Sequence, residues 1–458
     1  MKHGFLIWLA VALSACGAEF DVRKFGAKGD RQTLDQAAIQ AALDACARAG
    51  GGTVKLTPGD YLSGTLRLAS GVTLELTRGA TLWASTNRAH YIGAGKTSGH
   101  LLVASNASRI ALVGQGAING QGTADYGERW GVPKKPEFRT GILLLTGCTN
   151  ITVRGVTILN SDAWTLHFKR CEHVTVDGVT IRNNYRRLNS DGIDPNSCRH
   201  VRITRCRIIA GDDCIVLKST EPYPCEDVVV SDCQLESAAS ALKLGTESHG
   251  DFRNIRFERC VIRNSPTGIG LYLKDGATME NITFTDIELA TSTATNRVVT
   301  PIFMDIEKRH PNSKIGAMRK ITFQNITMRS GSSVLIQGMP ESPIENLTLR
   351  NLKLHVARAD DFAGRRKPVG GRRTTRDARD ALYAQLPTYF ALAHIRGLTM
   401  EDVTVEIAPE AFARFERSAV SGRDIVGGTI RNVHRIPGAA AGSLPVIELQ
   451  NCRNVAIQ

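Results

Sequence analysis

Apolar and polar residues alternate in short runs that recur along most of the chain. Four copies begin with a cysteine, and these are 23, 27 and 27 residues apart: Cys148, Cys171, Cys198 and Cys225. Related runs return at residues 254–257, 281–284, 320–323, 346–349 and 397–400. Two-residue alternation broken by Gly, Asn or Asp indicates short strands and tight corners. A period of this length is typical of a solenoid.

A second set of cysteines, Cys206, Cys233 and Cys260, repeats the 27-residue spacing and fixes the register. We therefore predict an all-β, single-stranded, right-handed parallel β-helix, in which equivalent side chains stack in the core. Leucine-rich repeats share the period, but their leucine-rich consensus and repeated helices are missing. The stacked cysteines are expected to be small buried residues.

A local disulfide of Cys214 with Cys225 or Cys198 remains open at this point. The cysteines and histidines show no zinc-site spacing, so we expect neither a metal nor a cofactor. Asparagines that read as glycosylation sequons fall within the repeat consensus and are interpreted as corner residues: Asn150, Asn281, Asn325 and Asn346.

The repeats predict one domain over residues 19–458. Before them, Thr33 to Gln36 reads as a capping box that opens a helix through about Arg48, and this helix would close the end of the solenoid. A basic insertion at about 356–390 interrupts the repeat; it is interpreted either as a solvated loop with a short helix or as a flap over a substrate groove.

The first residues have the charged start and short apolar run of a bacterial export signal, predicted over residues 1–18. The stretch ending at Cys16 also resembles a lipobox, which would give a lipid anchor on that cysteine. The protein is thus expected to be exported from a bacterial cell, as a periplasmic or secreted protein or as an outer-membrane lipoprotein.

The formal net charge of +13 indicates an acidic partner. Nucleic acid would match the charge, but the export signal and the lack of a nucleic-acid-binding motif argue against it. An acidic polysaccharide built of uronic acids, such as plant cell-wall pectin, matches both charge and location. We expect the protein to act on it as a monomer.

Two acidic motifs lie about one repeat apart. Residues 189–194 read Asn-Ser-Asp-Gly-Ile-Asp, and residues 211–213 read Gly-Asp-Asp. Stacked coils would bring Asp191 beside Asp213, and several carboxylates on one surface shift each other's pKa values as acid/base hydrolysis of a sugar linkage requires. The alternative, polar residues that merely form corners, suits Asn183, Asn184 and Asp194.

With these motifs, the chain resembles glycoside hydrolase family 28, the polygalacturonase-like pectinases. The opening residues 20–30, the stretch 160–167 (Asn-Ser-Asp-Ala-Trp-Thr-Leu-His) and both acidic motifs are similar to the family's pattern. The resemblance covers nearly the whole chain outside the leader. It implies a pectin-lyase-like β-helix and hydrolysis of α-glycosidic bonds in galacturonate-containing polysaccharide.

Carried over to this sequence, the resemblance makes Asp212 the general acid, with a raised pKa, while Asp191 and Asp213 activate water and the anomeric configuration inverts. Neighbouring strands lie about 4.8 Å apart, which is closer than the roughly 6.5–9.5 Å usual for inverting carboxylate pairs. Inversion is kept because the resemblance implies it.

Two departures from the family pattern concern the substrate. Ser240 stands where the family has a histidine, and His249 either replaces that histidine or is a surface-loop residue. Tyr272 stands where the family has a carboxylate-binding arginine, whereas the lysine of the same motif is kept as Lys274. We therefore predict that Asn189, Ser240, His249, Tyr272 and Lys274 bind substrate.

Tyr272 could stack on a less charged ring, which favours a rhamnogalacturonan hydrolase or a related pectin side-chain glycosidase as an alternative. A β-helical lyase would need a calcium-binding acid cluster and a catalytic base, which the sequence does not reveal. A non-catalytic adhesin would need no column of acids.

Overall fold

A computed structural model describes residues 17–458 except 94, 96–97, 128–129, 133–137, 293–298, 359–387, 415 and 439–442. The N-terminal strands are β1 Glu19–Asp21, β2 Asp30–Leu34, β3 Gly52–Leu56, β4 Gly59–Ser63, β5 Leu66–Arg67, β6 Val72–Leu76, β7 Ala80–Ala84, β8 Ser98–Ser105, β9 Ser108–Gly114, β10 Ala117–Asn119, β11 Arg139–Thr146, β12 Thr149–Arg154 and β13 Thr157–Leu159. The central strands are β14 Leu166–Lys169, β15 Glu172–Asp177, β16 Thr180–Arg182, β17 Ile193–Asn196, β18 Arg199–Thr204, β19 Arg207–Ala210, β20 Ile215–Ser219, β21 Cys225–Ser231, β22 Gln234–Ser237, β23 Ser240–Ser248, β24 Phe252–Glu258, β25 Val261–Ser265 and β26 Thr267–Leu273. The C-terminal strands are β27 Thr278–Thr291, β28 Thr300–Ile306, β29 Ala317–Arg329, β30 Val334–Gln337, β31 Ile344–Val356, β32 Thr388–Ile407, β33 Ser418–Ile436, β34 Ile447–Gln450 and β35 Arg453–Ile457.

Within the described residues, two α-helices, α1 Gln36–Arg48 and α2 Pro409–Arg414, and two short 3₁₀ helices, Val22–Phe25 and Arg88–His90, accompany these strands. Neither α-helix in the described part of the chain has the length and apolar character of a membrane-spanning segment.

The strands pair in parallel with strands of the neighbouring coils, and this pairing confirms the predicted β-helix. Three ladders run along the molecule. We call the one that contains β14, β17, β20, β23, β26 and β28 the first ladder. The second contains β12, β15, β18, β21 and β24, and the third contains β13, β16, β19, β22 and β25. Each coil therefore contributes one strand to each face of a solenoid.

The core consists of side chains stacked in register from coil to coil. The rings of Phe257, Phe284 and Phe323 lie nearly parallel, with centroids 4.7 and 5.0 Å apart. Both predicted columns of cysteines are buried, and all of their thiols are free. The local bridge of Cys214 with Cys225 or Cys198 is thus not formed. Stacked apolar side chains fill the interior in place of disulfides.

Corner residues adopt the left-handed conformation at equivalent places in successive coils. The four sequon asparagines have φ between 54° and 56°, as expected for corner residues: Asn150, Asn281, Asn325 and Asn346. Asn281 donates its side-chain amide to Asn254 Oδ1 one coil earlier, at 2.8 Å. Asparagine tolerates this conformation and bonds along the stack.

The N-terminal helix ends at Arg48 as predicted, and it buries Ile39, Leu43 and Cys46 against the first coils. The predicted capping box is wrong. Thr33 lies in β2, and the residue before the helix is Asp35, whose carboxylate instead accepts hydrogen bonds from the backbone N–H groups of the turn that precedes β2.

Strand β31 ends at Val356 and β32 begins at Thr388. The predicted basic insertion falls mainly on residues 359–387, which lie outside the described residues, as does the predicted leader through Cys16.

Candidate active site

The first ladder brings the two acidic motifs onto adjacent rungs. Ile193 of β17 pairs with Ile215 of β20, which pairs with Leu242 of β23. Asp191 and Asp213 each lie two residues before these partners, and the Gly192 N–H donates to the Asp213 carbonyl at 2.9 Å. This register places Asp191, Asp213 and Ser240 in one column, as the sequence spacing predicts.

Asp212 lies in the turn that joins β19 to β20. Its Oδ2 accepts the backbone N–H of Asn189 at 2.9 Å and faces the Asn189 side-chain amide at 3.5 Å. Its carbonyl accepts the Ser237 hydroxyl at 2.5 Å. Asn189, predicted to bind substrate, is thus placed where it orients the carboxylate of Asp212.

The turn before Asp212 is tightly packed at Gly211. A Cβ atom there would meet the carbonyl oxygens of Arg187 and Asn184 well inside van der Waals contact. The Gly211 N–H also donates a hydrogen bond to the Ser190 hydroxyl at 3.2 Å. Glycine is therefore required for the loop that carries Asn189 to lie against the turn that carries Asp212.

Asp213 is held on both carboxylate oxygens. Oδ1 accepts the Ser240 N–H at 3.1 Å, and Oδ2 contacts Lys243 Nζ at 2.7 Å. Ser240 therefore contacts Asp213 through its backbone N–H, whereas the sequence had suggested a role for its side chain. Lys243 provides a cation that the sequence analysis did not identify. It could have been found by counting two-residue steps along β23, since it lies on the outer face beside inward-facing Leu242.

A second lysine, also missed from the sequence, lies among the acids. Lys218 Nζ is 3.9 Å from Asp191 Oδ2, 4.0 Å from Asp194 Oδ1 and 3.5 Å from Glu247 Oε2. Asp194 is fully buried in β17, so its interpretation as a corner residue is wrong. One buried ammonium therefore bridges three carboxylates, two of them also buried.

Burial and mutual repulsion change the protonation of this cluster. Burial, the neighbouring Asp194 and Asp212 raise the pKa of Asp191 well above its usual range. Burial raises the pKa of Asp194 to about 8, against the opposing effect of Lys218. Burial alone would lower the pKa of Lys218, but Asp191 and Asp194 outweigh it and raise that pKa. At neutral pH the cluster therefore retains a carboxyl proton.

Aromatic rings flank the charged groups. Lys218 Nζ lies 4.6 Å from the ring centroid of half-buried Trp164, and Lys243 Nζ lies 5.4 Å from that of Tyr272. Tyr272 stacks on Phe303 at 4.9 Å. Burial, together with His100 and Lys218, lowers the pKa of His167 to about 3, so this ring next to Trp164 is neutral.

The two remaining predicted residues, His249 and Lys274, directly follow the C-terminal ends of β23 and β26. Lys274 is ion-paired with the buried carboxylate of Glu307. His249 is half exposed, with Nε2 3.9 Å from Asp275 Oδ2. Asp275 is also held by Arg309 through two contacts of 2.7 and 2.8 Å. The structure thus joins Tyr272 to the acidic cluster through Lys243, whereas Lys274 and His249 belong to a neighbouring set of ion pairs.

Within the described ranges, no group of three or more His, Cys, Asp or Glu side chains is arranged to hold a metal ion. The chemistry available at the site is that of closely spaced carboxyl groups with lysines beside them. Such a cluster suits general acid and general base catalysis.

The sequence matches the model of glycosyl hydrolases family 28 over residues 46–363. It is 28% identical to a probable polygalacturonase of Vitis vinifera, over 73% of each chain. It is 25% identical to an endo-polygalacturonase of Pectobacterium carotovorum subsp. carotovorum, over 71% of this chain and 85% of the relative. The family 28 exopolygalacturonase structure of Yersinia enterocolitica has the same fold, with a TM-score of 0.68, 19% identity and coverage of 95% and 78% of the two chains.

The protein is a parallel β-helix with a column of acids on one face, and the family model matches more than half of the chain. It is therefore a glycoside hydrolase. The chain belongs to glycosyl hydrolases family 28.

Proposed function

We propose that this enzyme hydrolyses α-glycosidic bonds in a pectic, galacturonate-containing polysaccharide and inverts the anomeric configuration. The observation that carries the proposal is the placement of Asp191 and Asp213 on adjacent rungs, with Asp212 next to Asp213 in the turn that joins β19 to β20. The relatives named polygalacturonase support the substrate class. The net charge of +13 supports an acidic polymer.

Asp212 is assigned as the general acid that protonates the departing glycosidic oxygen. Its contacts with Asn189 fix the direction of the carboxyl group, and its carbonyl is anchored by Ser237. A fixed acid close to the leaving oxygen avoids the entropic cost of positioning it during the reaction.

Asp213 and Asp191 are assigned as the residues that activate the water that attacks the anomeric carbon. Lys243 neutralises the charge of Asp213, which limits repulsion between the two carboxylates. The water would lie between this pair, on the face of the sugar ring opposite the departing oxygen.

Tyr272 favours a second candidate, the hydrolysis of rhamnogalacturonan or of a related pectic side chain. Its ring is buried, stacks on Phe303 and lies next to Lys243. An arginine in its place would pair with a carboxylate, and a tyrosine cannot form that pair.

The cellular location of the protein is part of the same proposal. We infer that the protein is exported from a bacterial cell, as a periplasmic, secreted or lipid-anchored protein, because its substrate is an extracellular polymer and the leader has the pattern of an export signal. It is proposed to act as a monomer.

The test measures the release of reducing ends from polygalacturonate and from rhamnogalacturonan, while ultraviolet absorbance at the same time reports any unsaturated product. We expect reducing ends without absorbance. Asp212→Asn should lower the rate by about 10²–10⁴-fold. Asp227→Asn, which alters an exposed carboxylate on the second ladder, serves as the matched control and should keep the activity.

Polygalacturonate as the better polymer supports the first candidate, and rhamnogalacturonan the second. Product absorbance would instead identify a lyase. Full activity in Asp212→Asn would refute the assignment of the general acid.

A further inference from the structure

A groove of about 460 Å³ crosses the outer face of the third ladder. Its walls come from four successive strands and include three arginines and one glutamate, with these lining residues: Thr180, Arg182, Arg207, Ile208, Ile209, Gln234, Leu235, Glu236, Val261 and Arg263. Its size is within the usual range of ligand sites.

The register explains why these side chains face outward. Thr180, Arg207, Gln234 and Val261 form one column across the four strands. Arg182, Ile209, Glu236 and Arg263 form the other. The residues between the two columns, such as Ile208 and Leu235, are buried in the core. The groove is therefore part of the rigid β-helix rather than of a loop.

Several arginines elsewhere on the solenoid pair with an acid one or more coils away, as Arg259 does with Asp232 at 2.8 Å and Arg319 with Glu280 at 2.8 Å. Within the described part of the chain, Arg182, Arg207 and Arg263 have no ion pair. Three exposed guanidinium groups that share one groove and lack internal partners favour an anionic ligand.

The groove lies on the same coils as the catalytic acids. Strand β19 ends at Ala210, two residues before Asp212. At the same end of the groove, the Tyr185 hydroxyl oxygen lies 2.8 Å from the carbonyl oxygens of both Ser237 and Asn264, which share its one hydrogen. A polymer that leaves the acidic cluster around this turn would pass Tyr185 and then meet the arginines.

We propose that this arginine groove binds a second segment of the acidic polysaccharide, away from the bond that is cleaved. The proposal rests on the proposed pectic substrate. Uronate carboxylates pair with Arg182, Arg207 and Arg263, and Glu236 accepts hydrogen bonds from sugar hydroxyls. We favour a polyuronate over a nucleic acid because the proposed function supplies a polyuronate and because the sequence has no nucleic-acid-binding motif.

The experiment compares Arg207→Gln/Arg263→Gln with Arg67→Gln/Arg202→Gln, a pair of exposed arginines outside the groove that gives the same change in charge. Binding of polygalacturonate and of trigalacturonate is measured in an Asp212→Asn background, so that no turnover is needed. The groove pair should bind the polymer roughly 5- to 30-fold more weakly, whereas the control pair should change it by less than about twofold.

Binding of trigalacturonate, which is too short to fill both places, should be unchanged in both pairs. With Asp212 restored, the groove pair should raise KM for the polymer and leave kcat unaltered. These results together would support a second polysaccharide-binding site in the arginine groove.

Equal weakening by both pairs would overturn the proposal, because net charge alone would then account for the effect. Single-stranded DNA bound as tightly as the polymer, with the same loss in the groove pair, would overturn the choice of ligand. Failure of the proposed function gives a different result: the wild type would release no reducing ends from any pectic polymer, and the binding comparison would still decide the role of the groove.

Discussion

Asp194 gives the most direct test of the electrostatics of the site. The side chain is fully buried, and neither carboxylate oxygen has a hydrogen-bond partner among the described residues. Lys218 Nζ approaches to 4.0 Å. Burial raises the pKa from 3.8 to about 8. The variant Asp194→Asn keeps the shape of the side chain and removes this ionisation.

The sign of the effect follows from proton linkage. Between about pH 4 and pH 8 the folded protein keeps the Asp194 proton while the unfolded chain has released it. The contribution of Asp194 to the free energy of unfolding is therefore largest below about pH 4 and falls as the pH rises toward about 8. One proton corresponds to about 1.4 kcal/mol per pH unit, or about 2.7 kcal/mol between pH 5 and pH 7.

The assay is urea unfolding followed by far-ultraviolet circular dichroism at pH 5 and pH 7. The wild type should lose about 2.7 kcal/mol more than Asp194→Asn over this interval. Comparing the pH difference removes any constant cost of the substitution. Glu19→Gln, at an exposed carboxylate on β1, is the control and should follow the wild type. Parallel pH dependence in wild type and Asp194→Asn would refute the retained proton.

Two further predictions test the packing. Gly211→Ala should destabilise the protein by about 1–3 kcal/mol and reduce activity, because the new methyl group displaces the turn that carries Asp212; a thermal midpoint equal to that of Gly438→Ala, where a Cβ meets only an atom 3.9 Å away, would contradict this. The nine buried cysteines should react with a thiol reagent only in denaturant, without prior reduction; thiols that appear only after reduction would show that disulfides form.

The repeat pattern was sufficient to predict the fold and the register of the acids. The 27-residue spacing of the cysteines aligns Asp213 with Ser240, and the shared pattern of the two acidic motifs aligns Asp191 with Asp213 although that coil is shorter. The corner asparagines were predicted for the same reason, since each occupies the same place in its coil.

The lysines were harder to predict, because a lysine within a strand is usually a solvated side chain. Lys218 and Lys243 are recognisable only when the strands that carry them are known to lie beside the acids. Asp194 was misread because a polar residue near glycine resembles a corner, although its position one residue after inward-facing Ile193 places it on the outer face. The capping box failed because Asp35 bonds to a preceding turn that the local sequence does not reveal.

The parallel stacking of coils has a consequence for how such an enzyme can evolve. Each coil contacts only its neighbours, so a duplicated or deleted coil far from Asp212 leaves the acids in place. Every such event would lengthen or shorten the surface that receives a polymer by about 4.8 Å, the spacing of adjacent strands. The preference for long or short polysaccharides can therefore change by the gain or loss of single coils, while the catalytic residues stay unchanged.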